Sequence, residues 1–292
     1  MVQSELHRRL LRPARFPVQR QRAAGRLARR ICTASIALVL AAAAACSPPR
    51  PGFLLDHDAV IRGDTSRRDL ALVFTGGDFA DGGPHIARVL ADKGVKAGFF
   101  FTGDFYRDPA KAELVHTLAG GDHYLGPHSS RHLLYAPWEK RDSSLVTREE
   151  FAADLRENLA AMESFGLPDY GLDCFIPPYE WYNTRHVAWA AEMGLTLFNF
   201  TPGTSVNADY TTPEMVGYRS SMAIWEKIIA REREDPHRLN GFILLIHIGT
   251  DPRRSDKFYL HLGALIDLLR AKGYTLVRID QLLERANRER SK

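Results

Sequence analysis

The chain has 292 residues, of which 25% are charged, and a formal net charge of +4 at pH 7. The positive charge is confined to one end. The first 30 residues hold nine arginines and one acid, Glu5, so this segment carries +8 and the rest of the chain about −4. The basic isoelectric point therefore gives no support for nucleic-acid binding by the remainder.

The N-terminal region has the pattern of an export signal. After the basic segment comes an uncharged apolar run, residues 31–45, which ends in small residues directly before Cys46. This order is typical of a signal peptide, and the run is short for a membrane span. A cysteine at this place is typical of bacterial lipoproteins. We expect residues 1–45 to be removed and Cys46 to become a lipid-carrying N-terminus that binds the membrane. The alternatives are a periplasmic or secreted protein and an uncleaved anchor.

The segment after the signal, residues 46–67, is rich in proline and polar residues and is interpreted as a linker. Residues 68–292 then alternate short apolar runs with amphipathic ones. The predicted strands are 70–74, 97–102, 124–125, 174–176, 195–200, 242–246 and 275–278. The predicted helices are 86–93, 110–118, 147–164, 184–193, 220–232, 259–272 and 281–287. Strands alternating with crossover helices predict one α/β domain with a parallel sheet, either open or closed as a barrel.

Two histidines follow the third predicted strand. His128 and His132 are four residues apart, so a helical turn would place both imidazoles on one face. Neutral imidazole is a common ligand of zinc, and such a pair forms half of a metal site. The alternative is a polar surface turn without a ligand.

Polar residues also follow the other predicted strands. Asp78 and Asp81 follow the first strand, Glu180 the fourth, Asp209 the fifth and His247 the sixth. The carboxyl ends of parallel strands meet at one mouth, so we expect these groups to lie together. Each of the acids could instead belong to a turn or a solvated loop.

In order and spacing these motifs resemble the polysaccharide deacetylases of carbohydrate esterase family 4, over residues of about 68 to 285. The run from His128 to His132 (His-Ser-Ser-Arg-His) matches the family's metal-binding motif. Leu245-Ile246-His247 is similar to its late Leu-His motif, and residues 176–179 to its Arg-x-Pro-Tyr segment. The resemblance implies a distorted (β/α)7-type barrel with parallel strands.

The chain departs from the family at its acids. The family's first motif is Phe-Asp-Asp-Gly, which supplies a general base and a metal ligand, whereas this chain has Phe-Thr-Gly-Gly at residues 74–77. Ile176 replaces the arginine that holds the base, and Glu180 replaces a glycine. The chain therefore resembles a divergent branch with a rebuilt set of acids.

The resemblance implies a metal-dependent hydrolase that removes acetyl groups from a carbohydrate, with an N-acetylated cell-wall, dietary or host glycan favoured. It implies a divalent metal, with zinc expected, held by His128, His132 and Asp78, or by Asp81 in place of Asp78.

The implied catalytic groups are a carboxylate base (Asp78, Asp81 or Glu180), the Tyr179 backbone N–H as an oxyanion donor and His247 as the acid. Trp181, Tyr182 and Tyr210 suit stacking on sugar rings. Two other functions stay open at this point. One is a catalytically inactive glycan-binding lipoprotein, and the other is a glycoside hydrolase that uses Asp78 and Glu180 as its paired carboxylates.

Overall fold

The computed structural model describes residues 52–168, 170 and 173–288, all within the compact unit Pro48–Lys292. The predicted signal peptide and Cys46 lie outside the described residues. Within the described part of the chain, no helix has both the length and the apolar character needed to cross a membrane.

The elements follow the predicted alternation. The strands are β1 Leu54–Asp56, β2 Ala59–Arg62, β3 Asp69–Gly76, β4 Gly98–Phe101, β5 Tyr124–Pro127, β6 Cys174–Phe175, β7 Thr196–Leu197, β8 Ile243–His247 and β9 Thr275–Val277. The helices are α1 Gly83–Lys93, α2 Gly103–Arg107, α3 Ala112–Gly120, α4 Arg148–Glu163, α5 Thr184–Glu192, α6 Ser221–Glu234, α7 Leu262–Ala271 and α8 Ile279–Arg288. Every predicted strand and helix is confirmed, although β6 and β7 are only two residues long, and the short helix α2 was not predicted.

Part of the predicted linker is folded. β1 and β2 form an antiparallel hairpin in which Leu55 pairs with Val60. Val60 is buried and also forms a parallel bridge with Phe198, just after β7. The prediction of a linker over residues 46–67 is therefore wrong for residues 54–62, because their apolar side chains pack against the main domain.

The central sheet is parallel and has the order β5-β4-β3-β8, with β9 beside the start of β3. A second parallel pair consists of β6 and β7. Thr201 connects the segment after β7 to β8 through two hydrogen bonds, from its N–H to the Ile243 carbonyl (3.0 Å) and from Ile243 N–H to its Oγ1 (2.9 Å). The α/β fold with a parallel sheet is thus confirmed. In the described residues, the strands do not form a continuous ladder around a ring.

Two hydrophobic cores fix the orientation of the sheet. Leu72 and Phe74 of β3 point into the core shared with the outer helices, whereas Ala71 and Val73 point into a second core that includes Cys174 of β6. Such alternation is the geometry of a strand buried on both faces. Because β3, β5 and β8 run parallel in the central sheet, their carboxyl ends lie at one edge, where predicted site residues follow them.

Candidate functional site

The loop after β5 carries the two predicted histidines. It is not helical, because Ser129 (φ 68°) and His132 (φ 55°) have left-handed backbone conformations. The expectation of a helical turn is therefore wrong. The imidazole rings of His128 and His132 nevertheless lie 5.0 Å apart, measured between centroids.

Helix α4 holds this loop through two fully buried polar side chains. The Asp154 carboxylate accepts hydrogen bonds from Ser129 Oγ (2.6 Å) and Ser130 N–H (2.8 Å), and Asn158 Oδ1 accepts one from His128 N–H (2.8 Å). Asp154 and Asn158 are four residues apart and share one helix face. Neither was identified from the sequence, although two polar residues among the apolar positions of one helix face were an available signal.

Both loop histidines are neutral at pH 7. His128 Nδ1 lies 2.8 Å from the Ile176 carbonyl, so Nδ1–H is the donor and Nε2 keeps its lone pair. Burial, together with the nearby His132, lowers the pKa of His128 well below its usual range. Burial and the nearby His247 lower the pKa of His132 to about 4. A neutral imidazole whose second nitrogen donates to a carbonyl is the form in which histidine binds metals.

His247 ends β8 and pairs with Asp209, a fully buried residue in the segment after β7. His247 Nδ1 lies 2.6 Å from Asp209 Oδ1, and His247 N–H donates to Asp209 Oδ2 (3.0 Å). Burial alone would lower the pKa of His247, but the Asp209 carboxylate outweighs it and raises that pKa. The sequence placed Asp209 among the strand-end acids without a role, and the structure brings it to His247.

The turn after β6 is strained. Tyr179 (φ 57°) and Glu180 (φ 52°) are consecutive left-handed residues, and neither is glycine. Such conformations cost about 1 kcal/mol or more each and concentrate at functional sites. Asn199 Nδ2 donates to the Glu180 carbonyl (2.9 Å) and fixes the turn. Burial raises the pKa of Glu180 to about 7, with Asp209 adding to the effect and His247 opposing it.

The loop after β3 contains the remaining predicted acids. Asp81 accepts hydrogen bonds from Thr250 N–H (2.8 Å) and Tyr259 Oη (2.6 Å) and forms an ion pair with Lys257 (3.2 Å). Its carboxylate thus connects this loop to the segment after β8. Asp78 is exposed, and its charge raises the pKa of His132, partly offsetting the effects of burial and of His247.

Gly76 has no room for the second aspartate that the resemblance implies at this position. A Cβ atom on Gly76 would lie 2.7 Å from Ile248 Cγ2 and 2.9 Å from the Phe101 ring. An aspartate does not fit at this position without a shift of the core.

Only part of the set of side chains that a divalent metal needs is arranged as a site. Within the described residues, no three His, Cys, Asp or Glu side chains are arranged as a complete metal site. His128 and His132 provide two neutral nitrogen ligands. Of the predicted acids, Asp81 is already bound to a lysine and a tyrosine, which leaves the exposed Asp78 as the carboxylate free to complete the set.

Aromatic side chains surround these groups. The Tyr179 ring lies 4.4 Å from the His132 ring, and the Tyr210 ring lies 5.0 Å from the His247 ring, between centroids. The prediction for Tyr182 is wrong. Its ring is fully buried and its hydroxyl donates to the Asp56 carbonyl (3.1 Å), so it has no face for a sugar.

Comparisons with known proteins bear on the family and the fold. Residues 62–198 match the family model Polysaccharide deacetylase. Over this range the chain is similar to that family, as its motifs predicted. A comparison with curated proteins gives no match.

Solved structures of carbohydrate esterase family 4 share the fold. A pseudoenzyme of this family from Bacillus anthracis is 17% identical, with a TM-score of 0.60 over 78% of this chain and 70% of the pseudoenzyme. The Bc1960 peptidoglycan N-acetylglucosamine deacetylase is 18% identical (TM-score 0.60, 76% of this chain and 91% of that one). An acetyl xylan esterase from Clostridium thermocellum, solved with a cobalt ion, is 18% identical (TM-score 0.56, 74% and 90%).

Proposed function

We propose that the protein is a metal-dependent hydrolase that removes acetyl groups from an N-acetylated carbohydrate. The proposal rests on one observation: histidines of two kinds lie at the same edge of the sheet. His128 and His132 are neutral, whereas His247 is paired with the buried Asp209 and has a raised pKa. The neutral pair, His128 and His132, suits metal binding, and the His247–Asp209 pair suits proton donation.

His128, His132 and Asp78 would hold the metal. Two nitrogen ligands and one carboxylate, with positions open for water and substrate, suit zinc. When bound, the ion would supply Lewis-acid chemistry at the acetyl carbonyl.

Glu180 is the best candidate for the base. Asp81 is engaged by Lys257 and Tyr259, and Asp78 is needed as a ligand, whereas the pKa of Glu180 is raised to about 7. A base works best when its pKa is near the working pH. Glu180 would accept the proton of the attacking water.

His247 would then donate a proton from Nε2 to the leaving sugar amine. Its Nδ1–H is fixed by Asp209, which sets the tautomer and stabilises the charged ring. The backbone N–H of Tyr179, in the strained turn beside His132, would donate to the oxygen that becomes negative.

The substrate proposal comes from the relatives and from the aromatic rings. One structural relative is a peptidoglycan N-acetylglucosamine deacetylase and another is an acetyl xylan esterase. We therefore propose an acetylated polysaccharide, with a cell-wall glycan first. The signal pattern and Cys46 favour a lipid-anchored protein of the bacterial cell envelope, with a periplasmic or secreted protein as the alternative.

Acetate release from a panel of acetylated glycans, with and without a chelator, tests this function. The wild type should release acetate only with metal present, and His128→Ala should release none. Equal release by His128→Ala would contradict the proposal. Release of reducing ends without acetate would instead indicate glycoside hydrolysis by Asp78 and Glu180.

A second candidate is a glycan-binding protein without catalysis. The specific observation in its favour is the strand end at Thr75 and Gly76, which lacks both family acids and has no space for one of them at Gly76. Metal analysis of the purified protein separates the two functions. A protein that takes up no divalent ion while binding glycans would favour this second candidate.

A further inference from the structure

Thr75, near the end of β3, has a hydroxyl group that packing does not explain. The residue is 1% exposed, and its Oγ1 forms no hydrogen bond with any residue that the structure describes. The Thr75 carbonyl, by contrast, accepts a hydrogen bond from Ile248 N–H (2.9 Å). A buried hydroxyl without a partner costs free energy, and native proteins rarely keep one. Valine would fill the same space without that cost.

Thr75 lies where the inner face of β3 passes from the core to the site. Ala71 and Val73, the two preceding residues on this face, belong to the second of the two cores. In the register of β3 and β8, Val73 pairs with Leu245, which is in the same core, and Thr75 pairs with His247. On these two strands the apolar core therefore ends at Val73 and Leu245. The next side chains on the same face are Thr75 and His247.

The neighbours of Thr75 at this level are apolar on one side and polar on the other. Its register partner on β4 is Phe100, a fully buried ring that offers no hydrogen bond. Its register partner on β8 is His247, whose Nδ1 is bound by Asp209 (2.6 Å). Glu180 is close enough to His247 for their charges to interact. The Thr75 hydroxyl is therefore at the level of the groups to which we assign the chemistry.

We propose that Thr75 is a further catalytic residue, whose Oγ1 accepts a hydrogen bond from the water that attacks the acetyl carbon. This assignment rests on the proposed function, which supplies the reaction. A side chain that is 1% exposed is too deep for a sugar ring. It suits a water molecule, which needs about two to four polar partners.

The roles of Thr75 and Glu180 would then differ. A neutral hydroxyl can accept a hydrogen bond from the water but does not take its proton. One hydrogen of the water would be held by Thr75 Oγ1, and the other would pass to the Glu180 carboxylate as the new C–O bond forms. Thr75 would thus orient the water, and Glu180 would remain the base.

Substitution of Thr75 tests this assignment through the rate of acetate release from one acetylated oligosaccharide. Thr75→Val removes the hydroxyl and keeps the size of the side chain. Its kcat should fall about 10–100-fold at low and at saturating zinc alike, with KM within about twofold of the wild type, because the water and not the sugar loses a contact. Thr75→Ser keeps the hydroxyl and should retain most of the rate. A serine variant as slow as the valine variant would contradict a role for the hydroxyl.

Thr201→Val is the matched control. Thr201 is 2% exposed, and its Oγ1 accepts a hydrogen bond from Ile243 N–H (2.9 Å) at the start of β8, whereas His247 ends that strand. Thr201→Val leaves this N–H buried without its acceptor, so it should unfold at a lower urea concentration and keep its kcat. Thr75→Val breaks no hydrogen bond within the described protein. It should unfold at the wild-type urea concentration or above it, with chelator present throughout.

The outcomes separate this assignment from the proposed function. Acetate release by the wild type, together with an unchanged kcat in Thr75→Val, contradicts the assignment and leaves the deacetylase function intact. A fall in kcat that added zinc restores would place Thr75 Oγ1 on the metal, which also contradicts it. A loss of stability as large as that of Thr201→Val would show that the hydroxyl has a partner within the protein, with the same meaning. A wild type that releases no acetate contradicts the function and the assignment together.

Discussion

Two loops at the site are held in different ways. The histidine loop follows β5 and contains His128 and His132, and the acid loop follows β3 and contains Asp78 and Asp81. The histidine loop donates hydrogen bonds to Asp154 and Asn158, which are fully buried. The acid loop is bound through the half-exposed Asp81, and its Asp78 is exposed. Where the chain keeps the family's motif, the supporting residues are buried. Where the motif has changed, Gly76 has no room for an aspartate, and Glu180, the base that we propose, lies beyond another strand.

The variant with the strongest predicted effect tests the His247–Asp209 pair, our proposed proton donor, which lies outside both loops. Asp209→Asn should lower acetate release by about 10³-fold, because the amide neither fixes the His247 tautomer nor stabilises its charged form. The measurement is kcat on an acetylated oligosaccharide. Asp256→Asn removes an acid that binds Ser221 N–H (2.6 Å) and should stay close to the wild type. A similar loss in both variants would contradict a specific role for Asp209.

The next effect compares how the two loops are supported. Asp154→Ala leaves Ser129 Oγ and Ser130 N–H buried without their acceptor and should lower the free energy of unfolding by about 3 kcal/mol. Asp81→Ala removes a partly exposed ion pair and two hydrogen bonds and should cost about 1 kcal/mol. Urea unfolding measures both. Equal costs would show that the two loops are supported alike.

The smallest effect concerns pH. The folded-state pKa of Glu180 is raised to about 7 from an ordinary value of 4.5, so the folded protein holds this proton more tightly than the unfolded chain. Stability should therefore fall as pH rises between these two values and stay reduced above them. Glu180→Gln removes the cost of ionising this carboxyl in the folded protein and keeps the side-chain size. It should be more stable than the wild type by about 1–2 kcal/mol at pH 8, and equal to it at pH 4.

Urea unfolding of the wild type and of Glu180→Gln at pH 4 and pH 8, with chelator present throughout, tests this pH dependence of stability. A difference that does not change with pH would mean that Glu180 titrates normally in the folded protein.

Much of the fold was predictable because buried parallel strands are continuous apolar runs. The start of α4 was predictable in detail. Thr147 and Glu150 form the expected capping box, with Glu150 N–H donating to Thr147 Oγ1 (3.1 Å) and Thr147 N–H to Glu150 Oε2 (2.8 Å). The hairpin of β1 and β2 was missed, because its strands are short and lie in a segment rich in turn residues.

Placement near the site was predictable only for side chains at or just beyond strand ends. His128, His132 and Glu180 lie in the segments that follow β5 and β6, and His247 ends β8. The charge of His247 affects the pKa of both His132 and Glu180, so these groups lie near one another. Asp154 and Asn158 act from a helix, so their role depends on packing that local sequence patterns do not contain. Tyr182 is adjacent to Trp181, yet its ring points into the core.

The proposed mechanism depends most on the identity of the base, which we assign to Glu180 and not to an acid after β3. The most direct measurement is the rate of acetate release by Glu180→Gln and by Asp78→Asn, at low and at saturating zinc, on one acetylated oligosaccharide. Glu180→Gln should lose about 10²–10³-fold in kcat at both zinc concentrations. Asp78→Asn should need about 10–100-fold more zinc but recover most of its rate. An Asp78→Asn protein that is inactive at saturating zinc, together with a Glu180→Gln protein that keeps its rate, would show that the base lies after β3.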